Sequence, residues 1–267
     1  MKMRLHWTKQ TLIFGGAAVW GLLLISCVAA NRAVLAPPQV AGATFVGTKE
    51  CTQCHSEITD HFGNSTHAKL AMENGKAGAT GCEACHGPGS VHVAAGGGRG
   101  TIVNPRKSPE ACFACHLDKR GEFSLPNTHP VLAGKMSCVD CHDVHTGDAV
   151  QGVGATMDGL NDTCTKCHTA QKGPFVYEHG AMKEGCTSCH NPHGSVNQKM
   201  LVARDANLCL RCHLEDPGAN PAPGVINANA VAHGVQNHNS RLMQGTCWSA
   251  GCHEAPHGSN ANNHIRR

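Results

Sequence analysis

Aromatic side chains are scarce, with 3 Trp, 1 Tyr and 6 Phe in 267 residues. So few large side chains exclude an ordinary globular core, and something besides them must fill the interior. A charge of one sign is also lacking. Lys2, Arg4 and Lys9 precede the first apolar run without an acidic neighbour, and beyond them 19 basic residues face 19 acidic ones. No basic patch interleaved with aromatics occurs, which sets nucleic acid aside as a partner. What is plentiful is glycine (31), histidine (20) and cysteine (17).

The N-terminus reads as an export signal over residues 1–30. Lys2, Arg4 and Lys9 form its positive region, and an uncharged stretch follows from Gln10 to Asn31. Three endings compete. Leu24-Ile25-Ser26-Cys27 resembles a lipobox that would make Cys27 a lipid anchor. Val28-Ala29-Ala30 fits ordinary cleavage, and about 20 apolar residues would suffice for an uncleaved membrane anchor. Each ending places the remainder outside the cytoplasm, in the periplasm or on the outer membrane. Residues 31–50, rich in Pro, Ala and Gly, read as a flexible tether.

The other 16 cysteines fall into eight motifs, numbered here in chain order. Motifs 1 to 7 have the form Cys-x-x-Cys-His: Cys51 and Cys54, Cys82 and Cys85, Cys112 and Cys115, Cys138 and Cys141, Cys164 and Cys167, Cys186 and Cys189, and Cys209 and Cys212. Motif 8 spreads Cys247 and Cys252 further apart before His253. Disulfides or zinc would also use paired cysteines in an exported chain, but neither requires histidine directly after each second cysteine. Covalent attachment of haem c does. On a helical turn, positions i, i+3 and i+4 share a face, so two thiols can bond the porphyrin edge while the histidine meets the iron.

The odd-numbered motifs have the look of short capped helices. Ser108-Pro109-Glu110 precedes motif 3, and Thr48, Asn161 and Asp205 stand at similar offsets before motifs 1, 5 and 7. Even-numbered motifs are mostly entered through glycine: Gly81, Gly185 and Gly245. The expected fold is mainly α with extensive coil, elongated, haem-cored and with little or no β structure. Residues 51–150 would carry haems 1–4, residues 151–163 a linker, and residues 164–267 haems 5–8.

Eight irons need eight proximal imidazoles, supplied by His55, His86, His116, His142, His168, His190, His213 and His253. Each even motif also has a histidine upstream and one downstream: His67 and His92, His129 and His145, His179 and His193, His238 and His257. That makes eight candidates for the eight opposite faces. His61 competes with His67, and His233 with His238, while His264 lies in a polar tail. A histidine three residues after a proximal one cannot reach the far face of the same haem. The downstream histidines are therefore expected to bind haems of other motifs, clamping haems in pairs as two-haem units.

Two imidazoles saturate a haem iron and leave one-electron transfer as its chemistry. Conduction of electrons by an octahaem, bis-His wire is the reading this favours. No Cys-x-x-Cys-Lys occurs, which argues against a multihaem reductase with an open iron. That enzyme and a subunit of an extracellular cytochrome filament remain the alternatives.

Three stretches carry a family resemblance. They are Gly173-Pro174-Phe175-Val176-Tyr177-Glu178-His179, then Glu184-Gly185-Cys186 through Gly194-Ser195, then Leu208 to His213. With Gly87 to His92, His129-Pro130 and Pro256 to Asn260, they resemble the periplasmic decahaem cytochromes of the MtrA/DmsE type. The resemblance implies electron transfer across the outer membrane through a β-barrel porin to a multihaem cytochrome on the outer surface. A periplasmic or inner-membrane cytochrome would be the electron donor. In the same family His92, His129, His145, His179, His193, His238 and His257 match positions of distal ligands. Eight motifs rather than ten, Cys27 and the widened motif 8 depart from that pattern.

Overall fold

The computed structural model describes residues 38–68, 81–146, 157–213, 232–233, 236–237, 247–248 and 252–266. The export signal and Cys27, His238 and the first part of the expected linker, 151–156, lie outside the described residues; its remainder, 157–163, is not a linker but helical. The rest belongs to one compact unit, Pro37–Arg267.

Short helices joined by coil carry the motifs. Motif 1 begins in α1 (Thr48–Thr52) and is followed by α2 (Ser56–Phe62). Motif 2 is α3 (Cys82–His86), followed by α4 (Ser90–Ala94). Motif 3 starts in α5 (Glu110–Phe113), and α6 (Leu117–Glu122) follows it. Motifs 5 and 7 sit at the ends of α7 (Met157–Thr165) and α8 (Ala206–His213). Motifs 4 and 6 are tighter, opening as 3-10 turns at Cys138–Asp140 and Cys186–Ser188. In motifs 1, 3, 4, 5 and 6 the histidine amide donates to the first cysteine's carbonyl, and motifs 2 and 7 lie wholly within helices, so the turn forms whatever the flanking structure.

Sheet structure among the described residues is confined to two ribbons of two-residue strands. Strand β1 (Tyr177–Glu178) pairs antiparallel with β4 (Gly258–Ser259), and β2 (Ala232–His233) with β3 (Gln236–Asn237). The first ribbon ties the approach to motif 6 to the chain end, and the Val176 amide extends it by donating to Asn260 Oδ1.

The expected side-chain caps do not form at α1 or α5, for a physical reason visible at α1. Its N-cap is Gly47, not Thr48. The buried Glu83 carboxylate of motif 2 accepts the Val46 and Gly47 amides at 2.9 and 2.7 Å, and the Gly89 amide at 2.8 Å. A neighbouring motif thus fixes the backbone at Gly47, so the helix starts there and Thr48 falls inside it. Pro109, rather than Ser108, caps α5, without a side-chain bond. Asp205 precedes α8 with its carboxylate turned to Arg204. Asn161 lies inside α7, where it bridges motifs instead: Nδ2 donates to the Met182 carbonyl and Oδ1 accepts the Cys186 amide.

The apolar core formed by side chains is slight. Among the described residues the buried apolar members are Ala68, Ala111, Phe113, Phe123 and Val131. Larger apolar groups lie open beside the histidines: Ile58 near His55, Val93 after His92 and Leu117 after His116. These are surfaces that a porphyrin face would cover.

Candidate haem sites

Seven pairs of histidine rings meet at nearly one distance. The pairs are His55 with His92, His67 with His116, His86 with His145, His129 with His168, His142 with His193, His179 with His213, and His190 with His257. Their ring centres stand 6.1 Å apart in the His142 pair and 6.2 Å apart in the other six. With metal–nitrogen bonds of about 2 Å and about 1.1 Å from nitrogen to ring centre, two imidazoles trans on one metal stand roughly 6 Å apart. Each pair joins one motif histidine to one flanking histidine.

The ring tautomers agree with that spacing. Nδ1 of His86, His129, His179, His190 and His253 donates to the carbonyls of Val103, Pro192, Pro256, Lys199 and His264. The His92 ring donates to Thr101 Oγ1, whose own proton goes to the Gly98 carbonyl. Protonation of Nδ1 leaves Nε2 as the bare nitrogen that a metal needs. Burial also holds His67, His86, His193 and His257 below the usual imidazole range, favouring the neutral ring. Among the described residues no three His, Cys, Asp or Glu side chains converge as a metal cage. Two opposed imidazoles beside two free thiols suit an iron whose other four ligands come from a porphyrin.

The thiols themselves follow an alternating order. Burial and the adjoining Cys82 thiol push Cys51 up to about 11, and burial and Cys186 do the same to Cys164. Burial and Cys247 push Cys209 up to about 12. Hydrogen bonding between Cys112 and Cys138 raises the former and lowers the latter to about 7. First cysteines therefore adjoin between motifs 1 and 2, 3 and 4, 5 and 6, and 7 and 8. After burial, Cys85 also feels Cys115, while Cys141 feels Asp140 and then Cys167. Cys189 feels Arg211, which lowers it, and Cys212, which raises it. Second cysteines thus approach one another across motifs 2 and 3, 4 and 5, and 6 and 7.

The flanking histidines do not stay within two-haem units. Downstream His145, His193 and His257 face the preceding even motif, whereas upstream His67, His129 and His179 face the following odd motif. His92 faces motif 1. Motifs 2, 4 and 6 are each thereby tied to both sides. His67 rather than His61 joins a pair, and no ring pair of this kind places His238 or His233, whose side chains are not described.

Several supporting residues had no structural role assigned to them from the sequence. The glycine-rich loop has positive φ at Gly96, Gly97, Gly98 and Gly100, and it returns the chain so that Thr101 and Val103 reach His92 and His86. The Pro-His-Gly-Ser segments at 192–195 and 256–259 do similar work in two places. Each proline carbonyl holds the upstream flanking histidine of an earlier segment, His129 or His179, while the next residue pairs with another motif. Gly194 lets this loop touch the Glu122 carbonyl, and Gly258 lets it touch the Phe175 ring.

The family model for the doubled CXXCH motif matches residues 129–173 and 179–218. Each match opens on an upstream histidine and spans one even and one odd motif. Multiheme cytochrome MtrA of Shewanella baltica is 31% identical over 210 residues, covering 79% of this chain and 57% of that protein. C-type polyheme cytochrome OmcB of Geobacter sulfurreducens is 26% identical over 265 residues, covering 86% of this chain and 34% of that protein. Cytochrome c-554 of Nitrosomonas europaea is 26% identical over 187 residues, covering 65% and 71% respectively. The chain spans little more than half the length of MtrA and about a third of OmcB. The thiols, the opposed imidazoles and these similarities converge: the chain resembles MtrA over most of its length and is a multihaem c-type cytochrome, binding haem c covalently through its CXXCH motifs.

Proposed function

We propose that the chain holds eight haems, each iron between two imidazoles, and conducts electrons one at a time between protein partners. The observation that carries this reading is the recurrence of 6.1–6.2 Å between ring centres in seven histidine pairs. His238, outside the described residues, is the remaining candidate opposite His253. Haem c supplies reversible one-electron Fe(III)/Fe(II) chemistry when bound.

The protein's own groups hold, close and order the sites. Cysteine pairs would hold each porphyrin edge, and the motif histidine and its partner would take the iron between them, leaving no position for substrate. Nδ1 hydrogen bonds hold the imidazoles in one tautomer and orientation, limiting rearrangement between oxidation states. Adjoining cysteines run from motif 1 to motif 8 in chain order, which supports a linear sequence of haems matching the sequence of motifs. Closed irons support a carrier over a reductase.

Residues 1–30 would export the chain, by way of Cys27 lipidation, cleavage after Ala30 or retention as an anchor. No described helix is long and apolar enough to cross a membrane. By likeness to MtrA, the cytochrome would work in the periplasm at the outer membrane. Its partners would be a β-barrel porin with an outer-surface multihaem cytochrome, and a periplasmic or inner-membrane electron donor. Purification from native membranes tests this: a co-purifying porin supports the conduit, and filaments without a porin contradict it. Haem content and carbon monoxide binding test the sites, since an iron that binds carbon monoxide in the resting protein contradicts full closure.

A further inference from the structure

One histidine pair has a carboxylate among its supports. His193 Nδ1 faces Glu122 Oε2 at 3.2 Å. Nδ1 of His86, His129, His179, His190 and His253 instead donates to carbonyls, and that of His92 to the Thr101 hydroxyl. The Glu122 contact is built from several directions. Glu122 ends α6, the helix that begins directly after His116 of motif 3. Lys119 Nζ holds its Oε1 at 2.6 Å, which leaves Oε2 for His193 and for Asn191 Nδ2 at 3.4 Å. Phe123 packs edge-on against the His193 ring, with centres 5.4 Å apart. The carboxylate, half-buried and held on one side by lysine, is therefore aimed at the imidazole.

An imidazole donating to a carboxylate carries more negative character than one donating to a neutral carbonyl. Its Nε2 becomes the stronger donor and favours the higher charge on a bound metal. We propose that Glu122 is a positioning residue that sets motif 4, served by His142 and His193, at a more negative reduction potential than it would otherwise have. Motif 4 stands midway in the order of adjoining cysteines, so its potential weighs on passage in either direction. Lys119 moderates the effect by sharing the charge of Glu122. This inference rests on the bis-imidazole reading above.

The test compares holoprotein titrations of wild type, Glu122→Gln, Glu122→Asp and Lys119→Gln by spectroelectrochemistry, with haem content and electron paramagnetic resonance measured on each sample. Glu122→Gln is expected to keep haem content and low-spin signals while one haem equivalent moves positive. The oxidised-to-reduced ratio at fixed potential should change about tenfold, or about 59 mV for one electron. Glu122→Asp should stay near wild type, and Lys119→Gln should move the same component the opposite way. A purely structural role would not give opposite shifts from the two partners. Superimposable curves at full haem content would overturn the inference. If Glu122→Gln fails to take up haem, Lys119→Gln decides alone, and an unchanged curve overturns it. High-spin iron in the wild type would instead refute the bis-imidazole reading.

Discussion

His145 stands three residues after His142 in sequence, yet its ring faces His86 of motif 2, with centres 6.2 Å apart and planes 10° from parallel. His142 faces His193, from beyond motif 6. Two histidines three residues apart thus belong to different ring pairs, and a single loop contributes to both.

Replacing His145 with Ala should open the iron of motif 2 and leave that of motif 4 closed. One haem equivalent is expected to become high-spin and to bind carbon monoxide, while haem content stays unchanged. A spectrum identical to wild type would contradict the pairing.

The planes of the paired rings sort the sites into two kinds. Five pairs lie within 19° of parallel, whereas His67 and His116 cross at 81° and His129 and His168 at 58°. Parallel imidazole planes split the iron d orbitals that crossed planes leave nearly degenerate. Electron paramagnetic resonance of the oxidised protein should therefore resolve rhombic low-spin signals alongside a minor class with a large principal g value. His67→Ala should remove part of that minor class, and His92→Ala should leave it intact.

Gly258→Ala should destabilise the terminal loop, because the added methyl would overlap the Phe175 ring. The cost expected for such overpacking is about 1–3 kcal/mol by denaturant unfolding of the holoprotein. Phe175→Ala in the same chain should recover much of the loss, giving a double-mutant coupling beyond additivity.

Asn161→Ala should cost about 1 kcal/mol or more by the same measurement, since it removes partners from the Met182 carbonyl and the Cys186 amide. Asn161→Asp keeps the acceptor for Cys186 and should cost less if that bond dominates. Equal losses would point to the Met182 contact.

Much of the site was legible because haem attachment is written locally. The motif cysteines and histidines lie within a few residues of one another, and the flanking histidines recur around each even motif. Their partners were not legible, since His129 meets His168 and His145 meets His86 only through the path of the intervening chain. The start of α1 was hidden for the same reason: Glu83, which holds the backbone just ahead of it, comes from the next motif. Glu122 gave no signal at all, because it sits on the polar run after motif 3 and acts on a histidine beyond motif 6. The scarcity of large side chains did foretell a core made by something else. The slight buried cluster around Phe113 and Phe123 agrees.

The central claim is that the irons are closed on both faces. Electron paramagnetic resonance of the oxidised holoprotein, with haem counted in the same sample, tests it most directly. Eight haems per chain, all low-spin, is the predicted result. A stoichiometric high-spin signal from any of the seven described pairs would contradict it.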